Sequence, residues 1–239
     1  MIGQKQPKHD TPRYTHLKHV LWWYLASLLV FCFGSVLSAQ HYPDGFDWLY
    51  TVASALASKK HNPEGSFWFS GALSLSMILL WPYVSALKNG LFPSSTAVTN
   101  FAFAALRIGL VCGTLLGLER LLLRDLSAWI YKAHEILGVF AFFGLFFGVL
   151  VLLIQAMLRK RIYAFPVLLV VTPLMAIGIT QFWLYLYQRD LGWVDTSWRD
   201  MGISFWLSFA FWQWLAMGFL SVGLGLLSFT CIKENTSGR

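Results

Sequence analysis

The segment ILGVFAFFGLFFGVLVLLIQAML, residues 136–158, contains no charged side chain and no regular alternation of polar and apolar residues. A bilayer with a hydrocarbon core of about 30 Å is crossed by a helix of roughly 20 such residues. Strands of a membrane barrel would instead be short and alternating. The segment therefore predicts a transmembrane helix, and with it an all-α integral membrane protein.

The composition of the whole chain agrees with this prediction. Of its 239 residues, 57% are hydrophobic and 12% are charged, whereas soluble domains carry about 25% charged residues. A soluble globular enzyme is thereby excluded. Five further stretches are long and apolar enough to cross a bilayer, so we expect a six-transmembrane-helix bundle. The predicted spans are residues 20–38, 66–87, 101–118, 136–158, 162–187 and 203–232.

Basic residues are distributed unequally between the two sides of this bundle. The N-terminal tail (1–18), the second and fourth loops and the C-terminal tail (233–239) share one side, which with Arg107 carries eleven basic and two acidic residues. The other side carries seven basic and nine acidic residues. Because positively charged loops stay in the cytoplasm, we expect both termini to be cytoplasmic and the protein to lie in the inner membrane. The pI of about 9.4 follows from this asymmetry and implies no nucleic-acid partner.

The first extracytoplasmic loop is the longest. Turn signals at Asp44-Gly45 and Asn62-Pro63 bound an apolar pattern with helical spacing. This pattern predicts a short amphipathic helix that lies at the membrane surface and caps the bundle. Its apolar positions are Phe46, Leu49, Val52, Ala53 and Leu56.

Polar residues that suit a binding site gather on the same side. Glu119 and Arg120 end the third span, and His134 opens the fourth. Charges at this depth are costly unless they are paired or hydrated, and neighbours in sequence do not face each other on a helix. We therefore expect partners on other helices, with Arg120 available to a phosphate-bearing headgroup. The candidate ligand-binding residues are Asp44, Glu119, Arg120 and His134, and the catalytic candidates are His134, Asp47 and His61.

Neither a metal site nor a cofactor site is encoded by any spacing motif. A zinc site, a nucleotide-binding loop and a dinucleotide fingerprint are all missing from the sequence. A metal held by His41, His61 and His134 would require the fold to bring these three side chains together. A histidine at a helix end is also commonly an interfacial hydrogen-bonding group, which is the alternative for His134.

A stripe of small residues marks the third span. Gly109, Gly113 and Gly117 recur at every fourth position, which lets another helix approach closely. The stripe could serve packing within the bundle, a partner helix or a homodimer.

The layout resembles a known group of membrane proteins. Pro43-Asp44 in the first outer loop, a short helix containing Ser54, Asn62-Pro63 before Phe67-Trp68-Phe69, and His134 at the head of the fourth span are the positions that carry it. Over roughly residues 18–232 the chain resembles the six-pass family of unknown function DUF 998, which is distantly similar to the Frag/DRAM/Sfk group. The resemblance implies a first loop that faces the lumen or periplasm and a role connected with lipids. It assigns no catalytic residue.

Three functions follow from these observations. The first is a membrane protein that binds, senses or modifies a lipid at the extracytoplasmic leaflet. The second is a component of a small-solute transporter or channel, which Arg107 and the prolines inside the spans favour and the absence of an internal repeat opposes. The third is a non-enzymatic assembly subunit that packs through its glycine stripe. The sequence names no reaction.

Overall fold

The computed structural model of the protein describes residues 12–91, 96–122, 129–188 and 199–237, and these residues are largely helical and contain no strand. Six of their helices are long and apolar enough to cross a membrane, which confirms the predicted all-α bundle. The helices are α1 (Pro12–Gln40), α2 (Ala53–Ala57), α3 (Ser66–Leu91), α4 (Ala97–Leu122), α5 (Trp129–Arg159), α6 (Ala164–Gln188) and α7 (Phe209–Ser237).

Most of the long helices extend beyond the predicted spans, because a helix can continue past the bilayer that it crosses. Helix α1 is already helical from Pro12, within the predicted N-terminal tail, and residues 1–11 of that tail lie outside the described residues. Helix α7 begins at Phe209 instead of residue 203. The reason is local, because Ser204 and Ser208 have extended backbones on either side of a single 3-10 turn, Phe205–Leu207.

The first loop forms a folded cap on the bundle. Its predicted short helix is present as α2, but it spans only five residues, and four of them are buried. Leu56 is fully buried and packs in a cluster with Phe69 of α3 and Trp214 of α7. Helix α2 is thus packed among the helix ends, where protein side chains cover most of its surface. We call residues 41–65 the first-loop cap.

Helix α7 is attached to the other helices through tyrosine hydroxyls. The Tyr24 hydroxyl donates a hydrogen bond to the Ser221 carbonyl at 2.8 Å. The hydroxyl of buried Tyr83 donates to the Leu224 carbonyl, and Tyr163 donates to a third carbonyl of α7. A buried polar group without a partner is costly where no water is available. These bonds therefore fix the position of α7 against α1, α3 and the start of α6.

Helices α4 and α5 approach each other through glycine. A Cβ atom on Gly144 would lie 2.7 Å from the Gly109 Cα and 2.6 Å from the Ala105 carbonyl oxygen. Gly148 lies one turn further along and faces Leu106 in the same way. The two backbones can approach this closely only because the side chains are absent.

The other two glycines of the predicted stripe face a different helix. A Cβ on Gly113 would meet the Met77 side chain at 3.0 Å, and one on Gly117 would meet the Ser74 hydroxyl at 2.2 Å. Both neighbours belong to α3. The stripe is therefore used for packing within the chain, on two faces of α4, and its use by a partner helix or a second copy stays a prediction.

We expect Gly144→Ala to destabilise the protein by about 1–3 kcal/mol, because the added methyl group cannot be accommodated without moving α4 away from α5. Thermal unfolding of the detergent-solubilised protein measures this loss. Gly138→Ala is the matched control in the same helix, since nothing lies within 4 Å of a Cβ at that position. Equal melting temperatures for the two variants would contradict the close approach of α4 and α5.

Candidate functional site

Glu119, Arg120 and His134 come together where α4 ends and α5 begins. The Arg120 Nε–H donates a hydrogen bond to His134 Nδ1 at 3.0 Å. Glu119 Oε2 lies 3.5 Å from Arg120 Nε and 3.4 Å from His134 Nδ1. The structure thus joins three of the four predicted ligand-binding residues, and it supplies the partner from another helix that the sequence required for Arg120. We call these three residues the α4–α5 cluster.

The hydrogen bond defines the state of the histidine ring. Because Nδ1 accepts the Arg120 hydrogen, it carries no proton, and the ring hydrogen of neutral His134 is on Nε2. Glu119 Oε2 is buried and makes no hydrogen bond in the described part of the chain. Its negative charge is therefore compensated by the nearby Arg120 guanidinium through space.

The outer end of Arg120 has no partner among the described residues. The contacts of Arg120 in this part of the chain all use Nε and leave its two Nη groups unpaired there. The side chain is 25% exposed, compared with 11% for Glu119 and 16% for His134. A guanidinium that is hydrogen-bonded at Nε and unpaired at both Nη groups can bind a phosphate or carboxylate in the bidentate geometry that arginine favours.

The first-loop cap forms a second polar group, which contacts the last loop. Asp47 forms an ion pair with Arg199 at 2.9 Å, and Arg199 lies over the Tyr50 ring at 5.5 Å. The Tyr50 hydroxyl donates to the Ile203 carbonyl at 2.7 Å. Asp44 adopts a left-handed backbone conformation with φ of 60° at the turn of the loop. An open depression of about 360 Å³ is lined by Asp44 to Leu49 together with Arg199.

No contact among the described residues joins the two polar groups. Within the described residues, the side-chain contacts of Asp47 are with Arg199 and the backbone N–H of Leu49, and the α4–α5 cluster is bonded internally. Asp44 and Asp47 thus belong to the cap. His61 also makes a contact and is not a free side chain.

No metal centre is visible in the parts of the chain that the structure describes. There, no three His, Cys, Asp or Glu side chains lie close enough together to hold an ion. His41 donates its Nδ1–H to the Leu37 carbonyl at 2.8 Å, which ties it to the end of α1. His134 belongs to the α4–α5 cluster, and a metal held by the three histidines stays a prediction.

Asn62 has a structural role that neither its turn pattern nor the family resemblance predicted. It is fully buried, and its side-chain amide donates to the carbonyl of Ser38 at 3.0 Å and to its hydroxyl at 2.9 Å. Its Oδ1 accepts the Gly65 N–H at 3.0 Å. A Cβ on Gly65 would lie 2.5 Å from this amide and from the Ser38 carbonyl. In the amino-acid sequence, the only sign of this role is the pair Asn62-Pro63 with Gly65 close behind it.

Aromatic residues hold the other end of the cap. The Trp48 and Trp214 rings lie 4.8 Å apart, and Phe46 contacts both. The Trp214 Nε1–H donates to the Thr51 carbonyl at 3.1 Å, and Gln213 accepts the Ala53 N–H at 2.8 Å. Helix α7 therefore holds the cap through aromatic packing and through two hydrogen bonds to its backbone.

Comparison with protein-family models, with curated proteins and with solved structures finds no match to this chain.

We expect Asn62→Ala to loosen the first-loop cap, because it removes the hydrogen bonds to Ser38 and leaves the buried Gly65 N–H without its acceptor. Trypsin should then cleave after Lys59 or Lys60 at least several-fold faster, as followed by mass spectrometry of the solubilised protein. Asn89→Ala, at an exposed position near the end of α3, is the control and should leave the rate unchanged. If both variants are cleaved at the same rate as the unmodified protein, Asn62 does not fasten the cap.

Proposed function

We propose that this polytopic membrane protein binds a phosphate-bearing lipid at the extracytoplasmic leaflet, and senses or modifies that lipid through the α4–α5 cluster. The observation that carries the proposal is the arrangement of Arg120, whose Nε is fixed by His134 while both Nη groups lack a partner among the described residues. An arginine fixed in this way has already lost side-chain freedom, so less entropy is lost when it binds an anion.

The surroundings of the cluster favour a lipid over a soluble anion. Leu122, two residues after Arg120, is 74% exposed, and Ile136, two residues after His134, is 55% exposed. Both belong to helices long and apolar enough to cross the bilayer. Both side chains face another side of their helices than Arg120 and His134 do, so they show that lipid-facing apolar surface begins at this level of the bundle. A molecule bound to Arg120 would have its anionic group at the guanidinium and its apolar part against this surface. A phospholipid has both parts.

Glu119 and His134 are assigned the role of positioning residues. Glu119 stands within 3.5 Å of the Arg120 Nε and keeps the cluster close to neutral. Neutral His134 fixes the direction of the guanidinium. His134 also remains our leading catalytic candidate if the lipid is modified, with Asp47 and His61 as candidates in the cap, where Asp47 is engaged by Arg199.

The leaflet is assigned from charge. The end of the bundle that carries the cluster is opposite the end that carries Lys88 and the Arg159-Lys160-Arg161 turn. Basic segments favour the cytoplasmic side and its anionic lipids. The cluster would then face the periplasm or an equivalent compartment.

Binding of a phospholipid can be tested by native mass spectrometry of the full chain titrated with phosphatidylglycerol. Diacylglycerol with the same acyl chains lacks the phosphate and is the matched ligand. We expect the phospholipid to be retained, and Arg120→Gln to weaken its binding about tenfold or more, because a charged hydrogen bond is lost.

Arg199→Gln is the control variant, since Arg199 is also a cation at this end of the bundle but is paired with Asp47. It should retain the phospholipid. Equal retention of diacylglycerol, or full binding by the Arg120→Gln variant with an unchanged melting temperature, would contradict the proposal.

The orientation has a test of its own. Because we expect the C-terminus to be cytoplasmic, a fluorescent protein fused to it should fluoresce, and alkaline phosphatase fused to it should be inactive. The same phosphatase inserted after Pro43 should be active. The opposite pattern would place the α4–α5 cluster on the cytoplasmic side.

A further inference from the structure

Arg107 lies near the middle of a membrane-crossing helix. Helix α4 has 26 residues, and Arg107 is about 4 Å from its midpoint at 1.5 Å per residue. If the centre of the helix lies at the centre of the bilayer, the edge of the hydrocarbon is roughly 11 Å further away. Arg107 is the only charged residue of α4 before Glu119. A charge at this depth is costly unless it is paired, and it is commonly functional.

The structure holds the guanidinium against α3. Its Cζ lies over the Trp81 ring at 6.0 Å. Trp81 is about 4 Å from the midpoint of α3, towards the C-terminal end of that helix. Because α3 and α4 are antiparallel, this places Trp81 at the same level as Arg107. The contact therefore directs Arg107 sideways across the bundle surface instead of towards the headgroups. Its Nε is buried and makes no hydrogen bond among the described residues.

No carboxylate pairs with Arg107 among the described residues. Nine of the eleven acidic residues of the chain lie outside the six membrane-crossing stretches. The other two, Glu119 and Glu135, both lie at the end of the bundle that carries the α4–α5 cluster, and Glu119 is about 18 Å further along α4 than Arg107. A second copy in the same orientation would carry its Glu119 at that same distant depth. Self-association thus supplies no counter-charge.

We propose that the surface of α3 and α4 around Arg107 and Trp81 binds a transmembrane helix of another protein, and that this helix carries an Asp or Glu near the middle of the bilayer. A lipid phosphate would have to enter the hydrocarbon to reach Arg107, whereas a partner helix can present a carboxylate at the required depth. The attraction between opposite charges and the contact with Trp81 would then hold the partner.

The surface around Arg107 is open to such a helix. Trp81 is 43% exposed, and Ile78, one turn earlier on α3, is 52% exposed. On α4, Ala104 and Ile108 are exposed on either side of Arg107. The small side chain of Ala104 allows a neighbouring backbone to come close to the guanidinium. This surface is separate from the glycine stripe, which faces α3 and α5.

The proposal is tested with the full chain in phosphatidylcholine vesicles and a leucine-rich transmembrane peptide that carries one Glu at its centre. The matched peptides carry Gln at the centre, or Glu two turns from it. Energy transfer between a label on the protein's C-terminus and a label on the peptide measures association. We expect the central-Glu peptide to bind about three- to twenty-fold more tightly than either matched peptide.

The preference for central Glu should disappear in Arg107→Gln and remain in Lys88→Gln, which removes a cation from the end of α3. Arg107→Lys keeps the charge, should retain part of the preference and serves as the test if Arg107→Gln does not fold. Equal binding of the Glu and Gln peptides by the unmodified protein would overturn the proposal. The proposal would also be overturned if adding phosphatidylglycerol to the vesicles abolished the preference for the central-Glu peptide, because lipid phosphate would then be the counter-charge. Neither result depends on lipid binding at Arg120.

Discussion

The contact of Gly109 with Gly144 determines what lies at the far ends of α4 and α5. Arg120 is eleven residues beyond this contact along α4, and His134 is ten residues before it along α5. Three turns of helix contain about 11 residues. Arg120 therefore returns to the contact face, and His134, almost three turns away, lies beside it at nearly the same height, where the Arg120 Nε meets the His134 Nδ1. A bulkier residue at either glycine would separate the helices and, with them, the partners of the cluster.

Apolar side chains alone could not select this arrangement. Lipid is as apolar as leucine, so burying a leucine between helices does not distinguish one helix face from another. The distinction comes from missing side chains and from polar groups that must be satisfied. Tyr24 and Tyr83 place their hydroxyls on α7 carbonyls, and Asn62 places its amide on the end of α1. Each bond is satisfied in one arrangement of the helices and lost in most others.

The sequence was sufficient to predict the number and type of the long helices, because the bilayer imposes a length and a hydropathy that can be counted. It did not predict how the glycine stripe is used. Four residues turn a helix by about 400°, so each step of the stripe rotates by some 40°. Over two steps, Gly117 turns away from the helix that Gly109 contacts, and it faces α3 instead of α5. Spacing alone does not say which neighbours lie on each side.

The cap was harder to predict for a related reason. Its apolar pattern from Phe46 to Leu56 fits a surface helix, yet only Ala53–Ala57 is helical and Leu56 is fully buried. The pattern records which side chains avoid water, but not whether lipid or protein covers them. Here Trp214 and Gln213 of α7, more than 150 residues away in sequence, cover one side and bind the backbone. Such long-range contacts have no local signature.

The two arginines of α4 show how depth determines what a charge requires. Arg120, at the end of the helix, finds Glu119 and His134 within 3.5 Å, and the headgroup region can hydrate what they leave exposed. Arg107 has the same chemistry but lies near the middle, where water is scarce and the nearest acid in its helix is three turns away or more. An aromatic ring can lower the cost of that charge but cannot neutralise it. The compensation that Arg120 obtains from Glu119 and His134 is therefore not offered to Arg107 by any carboxylate of the described residues.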